Sequence, residues 1–243
     1  MSGCTRLSVW SGPRNVSTAL MYSFRRRPDT VVFDEPLYGH YLTVSDAAHP
    51  GEADVLWTMQ RDGERVVRET LLGPCPAPVM FFKNMAHHLT HLDRGFLDRI
   101  TNVLLTRDPR EMLPSLAEQL PHPTLRDTGL REQVEILDRE ERKGGDPVVF
   151  DARELLLDPE GVLREACRRL GIPFYEEMLR WPAGPKPEDG VWAEHWYANV
   201  HASTGFGAYR PKEGPFPERL APLLAECEPL YERLRERAIP ART

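Results

Sequence analysis

The chain is poor in cysteine. It has four in 243 residues, Cys4, Cys75, Cys167 and Cys227, and none of them forms a C-x-x-C pair. Such spacing offers neither a zinc-ligand set nor a disulfide framework, and it points to a reducing, cytoplasmic setting. No apolar run approaches the roughly 18 residues of a membrane helix, and the N-terminus has no apolar signal-peptide core, so no membrane association is expected. Excess positive charge is also missing: 31 Lys and Arg against 37 Asp and Glu leave a net charge of -6, which speaks against a nucleic-acid partner. The basic run Arg25-Arg26-Arg27 reads as the solvated end of a helix. What remains is an ordinary globular composition, 41% hydrophobic and 28% charged, long enough for one α/β domain with helical additions. Many of the 23 prolines cluster near residues 120–123 and 182–187 and mark rigid loops.

Short apolar strands alternate with amphipathic segments. Residues 5–10, 30–36, 77–85, 101–109 and 146–156 read as five strands. Helices are expected over 17–27, from Pro109 onward, over 127–143, and over 217–237. Another should run from an Asp158 cap with Pro159 at its first position to a Gly171 stop. A helical excursion covers about 53–72, and 87–100 reads as an amphipathic helix. No repeat or long linker divides residues 1–243. Continuous apolar strands between helices predict a three-layer α/β domain, with a mostly parallel central sheet flanked by helices. In such sheets ligands bind beyond the carboxyl ends of the strands. Polar residues collect at those ends: Gly12-Pro13-Arg14, Asp34-Glu35, Lys83-Asn84 and Thr106-Arg107-Asp108.

The first strand runs into SGPRNVSTAL, a strand–turn–helix of the kind that binds phosphate. The nucleotide-hydrolase signature G-x-x-x-x-G-K-S/T is incomplete here, because its lysine and second glycine are absent and Arg14 occupies the turn. The turn Gly12, Pro13, Arg14, Asn15 and Val16 supplies backbone N–H groups from all but Pro13 and one forked cation, and Ser17 and Thr18 add hydroxyls. A plain turn with Asn15 or Ser17 as helix cap is the structural alternative. A second anion feature is LLTRDPREMLPS, where Arg107 at a strand end and Ser115 on the next helix are placed to pinch one phosphate. A surface pair of Arg107 with Asp108 or Glu111 is the alternative.

Together SGPRNVSTAL and LLTRDPREMLPS resemble the 5′-phosphosulfate loop and the 3′-phosphate segment of the sulfotransferases, over roughly the first 170 residues. The resemblance implies a P-loop-like fold and 3′-phosphoadenosine 5′-phosphosulfate (PAPS) as sulfuryl donor, without a metal. The acceptor would be a hydroxyl or amine of a small molecule or carbohydrate. It assigns Gly12 to Thr18, Arg107 and Ser115 to the nucleotide, and places Arg14 where most members carry a catalytic lysine. The general base is then Glu35, after the second strand, or His87 or His88, after the third. Lys83 is the candidate for stabilising charge at the bridging oxygen. His87, His88 and His91 have helix-face spacing, but no H-E-x-x-H motif accompanies them, and no metal is expected.

The C-terminal segment, about 172–243, is expected to be helical with a lid over the nucleotide, drawn from Ser203, Thr204, Gly205, Arg210 and Lys212. Trp192, Trp196 and Tyr197 line an acceptor pocket or pack in the core. Two further readings stay open: a Mg²⁺-dependent small-molecule kinase, and a nucleotide-binding protein without turnover. The oligomeric state and the acceptor are not encoded in any recognisable pattern.

Overall fold

A computed structural model describes residues 3–47, 49–212 and 214–242. Five strands form one sheet: β1 Thr5–Ser11, β2 Thr30–Asp34, β3 Val79–Met85, β4 Thr101–Thr106 and β5 Val148–Asp151, in the order β2-β3-β1-β4-β5. The sheet is parallel. β2 pairs with β3 from Thr30–Val79 to Asp34–Lys83, and β4 pairs with β5 from Val103–Val148 to Thr106–Asp151. Every residue of β3 is buried, as a parallel strand covered on both faces requires. The α/β fold expected from the alternation is therefore present.

The helices are α1 Ser17–Arg25, α2 Tyr38–Val44, α3 Glu52–Thr58, α4 Gly63–Val66, α5 Pro109–Leu116, α6 Leu125–Thr128, α7 Leu130–Arg142, α8 Ala152–Leu157, α9 Pro159–Leu170, α10 Ala193–Trp196, α11 Ala198–His201 and α12 Ala221–Arg235. Their ends follow the local chemistry. The Asp108 carboxylate caps α5, with Pro109 in the first turn; Asp158 caps α9, and Gly171 ends it at φ 66°, a left-handed position suited to glycine.

Three sequence expectations change. The fifth strand stops at Asp151, because its carboxylate accepts from the Arg153 and Glu154 N–H groups and starts α8 instead. The expected helix over 127–143 breaks at Gly129, φ 68°. Residues 87–100 form two 3-10 turns, Ala86–Leu89 and Arg94–Arg99, because Thr90 and Asp93 are non-helical and His91 takes φ 55°.

Contacts group the chain into two compact units. One holds residues up to Val9, Ser17–Asn102 and Tyr175–Phe206; the other holds Trp10–Val16, Val103–Phe174 and the residues from Gly207 on. In the first, α1 packs on β2 and β3, and Tyr38, Tyr41, Leu42, Val55, Trp192, Ala193 and Tyr197 form a buried cluster. In the second, α8, α9 and α12 pack on β5. Cys4 and Cys75 are joined by a disulfide with Cα atoms 6.1 Å apart, which corrects the expectation that no bridge forms. The two are 71 residues apart in sequence, but β1 and β3 are neighbours in the sheet and carry them together. Among the described residues, no helix is long and apolar enough to cross a membrane.

Candidate active site

Asp34 and Lys83 face each other in the β2–β3 register, and around them lies a buried ionic cluster. Lys83 Nζ donates to Asp34 Oδ1 at 2.8 Å, to Glu35 Oε1 at 2.5 Å and to the Tyr197 hydroxyl at 2.6 Å. An ammonium has three N–H donors, so all three are engaged. The Tyr197 hydroxyl in turn donates to the Asp34 carboxylate, 2.8–2.9 Å away, and accepts from Trp192 Nε1 at 3.1 Å. Burial works against the charge on Lys83, but Asp34 and Glu35 outweigh it and hold its pKa well above the ordinary value. Burial pushes Glu35 up from the usual carboxylate range, with Lys83 pulling against it. Glu35 also takes a left-handed backbone, φ 43°. That conformation is uncommon for a side chain with a Cβ and is found where the surroundings enforce it.

The cap position of α2 is Leu37, without a side-chain hydrogen bond. His88 Nε2 stands 4.0 Å from Glu35 Oε2; its ring stacks on Tyr38, centroids 5.0 Å apart, and on Tyr41 at 4.8 Å. Burial, with His87 adding to it, lowers the His88 pKa well below the ordinary value, so the ring stays neutral. The His87 ring lies edge-on to His88, centroids 4.7 Å apart, and both are buried, whereas His91, beyond the end of the 3-10 turn, is exposed. The common face assumed for His87, His88 and His91 therefore does not form.

The phosphate-loop residues fall in the second unit up to Val16. Gly12 packs so closely that a Cβ there would lie 2.4 Å from the Thr128 carbonyl oxygen, which makes glycine obligatory. Asn15 Nδ2 donates to the Leu105 carbonyl at 3.2 Å. Arg14 takes φ 54°, and its Nε donates to Ser115 Oγ at 3.0 Å. Arg107 Nη1 donates to the Arg14 carbonyl at 2.8 Å, while its Nε and Nη2 reach Glu111 Oε2 at 3.2 and 3.1 Å. Arg14, Arg107 and Ser115, distant in sequence, thus form one cluster. Ser17 is buried and Thr18 half-buried where α1 begins.

The expected lid residues fall in different units. Ser203, Thr204 and Gly205 are tied to Arg180 and Trp181: Trp181 Nε1 donates to Ser203 Oγ at 3.1 Å, and its backbone N–H to the Thr204 carbonyl at 3.1 Å. Arg210 and Lys212 are exposed. In their stretch it is Tyr209 that makes contact, donating to Glu111, with Arg153 over its ring at 5.6 Å. Asp34, Tyr197 and Glu111, which the sequence offered only as a strand-end acid, a pocket or core aromatic and a surface partner of Arg107, make central contacts in their respective clusters. Among the described residues, no group of three His, Cys, Asp or Glu is placed to hold a metal ion.

A family model, the sulfotransferase domain, matches residues 5–238. Among solved structures, the sulfotransferase domain from the curacin biosynthetic pathway is similar at a TM-score of 0.56 and 13% identity, over 97% of this chain and 99% of that one. The sulfotransferase domain of the Synechococcus PCC 7002 olefin synthase gives 0.52 and 16%, over 93% and 96%; at these identities the likeness is one of fold. Among curated proteins, branched-chain-amino-acid aminotransferase-like proteins 2 and 1 of Arabidopsis thaliana are 40% and 41% identical over 94% and 93% of this chain. The chain spans only 41% of the length of each. The full-length family match carries the assignment: this chain belongs to the sulfotransferase domain family.

Proposed function

We propose that the protein transfers a sulfuryl group from PAPS to a hydroxyl or amine of a small molecule or carbohydrate. The observation that carries this reading is the pairing of a carboxylate with an ammonium, Glu35 on Lys83 at 2.5 Å, just past β2 and near the end of β3. It stands in a chain whose β1 and β4 also end in anion-binding residues. Carboxyl ends of parallel strands are where such sheets take ligands. Gly12, Arg14, Asn15 and Val16 offer backbone N–H groups, and Ser17 and Thr18 hydroxyls, to a 5′-phosphosulfate; Arg107 and Ser115 suit a 3′-phosphate.

In the transfer, the acceptor oxygen forms a bond to sulfur as the bond from sulfur to the 5′-phosphate oxygen breaks. The acceptor proton goes to Glu35, and the bond electrons leave with adenosine 3′,5′-bisphosphate. Burial suits Glu35 to this task, because a carboxylate of raised pKa is a stronger base. Protonation also neutralises one of the three groups that engage Lys83. The ammonium is then freed to stabilise negative charge that develops on the departing oxygen. His88, neutral and 4.0 Å from Glu35, is the alternative base, with the His87 ring edge-on to it.

The test is transfer of labelled sulfur from PAPS to a panel of phenols, alcohols and oligosaccharides, by the wild type and by Glu35→Gln. Transfer by the wild type and its loss in the variant support the reading. Binding of the donor with no transfer to any acceptor favours a nucleotide-binding protein without turnover.

A further inference from the structure

Arg14 occupies the place of the missing loop lysine, yet its side chain does not follow the loop. Its left-handed backbone, φ 54°, leads the guanidinium to Ser115, 101 residues on, where Nε donates to Oγ at 3.0 Å. Arg107 is bonded to the Arg14 carbonyl at 2.8 Å, so two arginines meet beside one serine. Both are partly buried. Burial lowers the Arg14 pKa and the charge of Arg107 adds to it, against Glu118. Like charges gathered in this way are unfavourable unless an anion joins them. One carboxylate already meets Arg107: Glu111 Oε2 lies against its Nε and Nη2, at 3.2 and 3.1 Å, as a phosphate oxygen would.

We propose that Arg14 binds the 3′-phosphate of the nucleotide, forming with Arg107 and Ser115 a clamp for a dianion, and that it does not replace the loop lysine at the 5′-phosphosulfate. This rests on the reading that the ligand is a 3′-phosphorylated adenine nucleotide. With Nε engaged by Ser115, Nη1 and Nη2 are the Arg14 donors left for the phosphate, and the forked geometry favours two parallel contacts. The bridging-oxygen role then rests on Lys83 alone.

The assignment is tested by titrating adenosine 3′,5′-bisphosphate, adenosine 3′-monophosphate and adenosine 5′-monophosphate into wild type, Arg14→Ala and Arg14→Gly. Glycine suits the left-handed backbone and keeps the comparison alive where alanine strains the fold. Loss of a charge-assisted contact should weaken the two 3′-phosphorylated nucleotides by roughly 10- to 150-fold, with the 5′-monophosphate unchanged. Weakening of the bisphosphate and the 5′-monophosphate alike, with the 3′-monophosphate unchanged, would return Arg14 to the 5′ group. Unchanged binding of all three by the variants also overturns the proposal. A wild type that binds none of them overturns the nucleotide reading itself.

Discussion

Asp34 and Lys83 are register partners on adjacent parallel strands and form a salt bridge of 2.8 Å with both side chains 1% exposed. Glu35 shares the same ammonium, so Lys83 is the cation that balances two buried carboxylates. Lys83→Met should therefore destabilise the fold by about 3–5 kcal/mol, the usual cost of leaving buried charge uncompensated. Asp34→Asn, which leaves the Glu35–Lys83 pair, should cost less. Urea denaturation of both variants measures this; a Lys83→Met protein as stable as wild type would show that the carboxylates are protonated or solvated in solution.

Glu35→Gln keeps the shape of the side chain and an acceptor for Lys83, and removes the base. Turnover should fall by about 10²–10⁴, with nucleotide affinity unchanged. In the wild type the rate should fall on the acid side, through a pKa above the ordinary carboxylate range, because burial raises Glu35. The variant should lose that limb. The sign for stability follows from the same shift: the folded state holds this proton more firmly than the unfolded one. Its contribution is therefore present below the unfolded carboxylate pKa and is lost as pH rises through the folded one. Wild type should lose stability relative to Glu35→Gln across that window. A pH-rate profile and melts at several pH values check both; an unaltered acid limb in the variant would move the base to His88.

Glu111 bonds to Arg107 where a phosphate oxygen is expected, and Tyr209 donates to Glu111. Glu111→Gln should tighten adenosine 3′,5′-bisphosphate by about 1 kcal/mol, roughly 5-fold, since a half-buried ion pair no longer competes for the guanidinium. Calorimetry decides the sign. Weaker binding would mean that Glu111 positions Arg107 for the ligand.

The Cys4–Cys75 bridge closes a loop between residues 71 apart in sequence. Its removal by Cys4→Ser should cost about 2–4 kcal/mol. Thermal melts with and without reductant should show the same loss in wild type and none in the variant.

The strands, the turns that follow β1 and β4 and several helix ends could be read from local chemistry. Continuous apolar runs marked the strands, and Pro109 and the pair Asp158-Pro159 marked helix starts, because a proline in the first turn and a carboxylate cap act within a few residues. Asp151 was misread because the apolar residues after it look the same on a strand or a short helix; only its two N–H contacts reveal the cap. The role of Asp34 was hidden for another reason. Its partner Lys83 is 49 residues away and Tyr197 is 163 away, and the sheet order that brings β2 beside β3 has no local signal. The turn of Arg14 towards Ser115 depends on one positive φ, which an arginine does not announce.

The proposed function requires that this chain hold a 3′-phosphorylated nucleotide with protein cations as its counter-charge. The direct measurement is the melting temperature with adenosine 3′,5′-bisphosphate and no divalent metal, against ATP with Mg²⁺. At about 100 times its dissociation constant the bisphosphate should add roughly 2.7 kcal/mol of stability, a clear upward shift. A shift with ATP–Mg²⁺ and none with the bisphosphate would contradict the account and favour phosphoryl transfer.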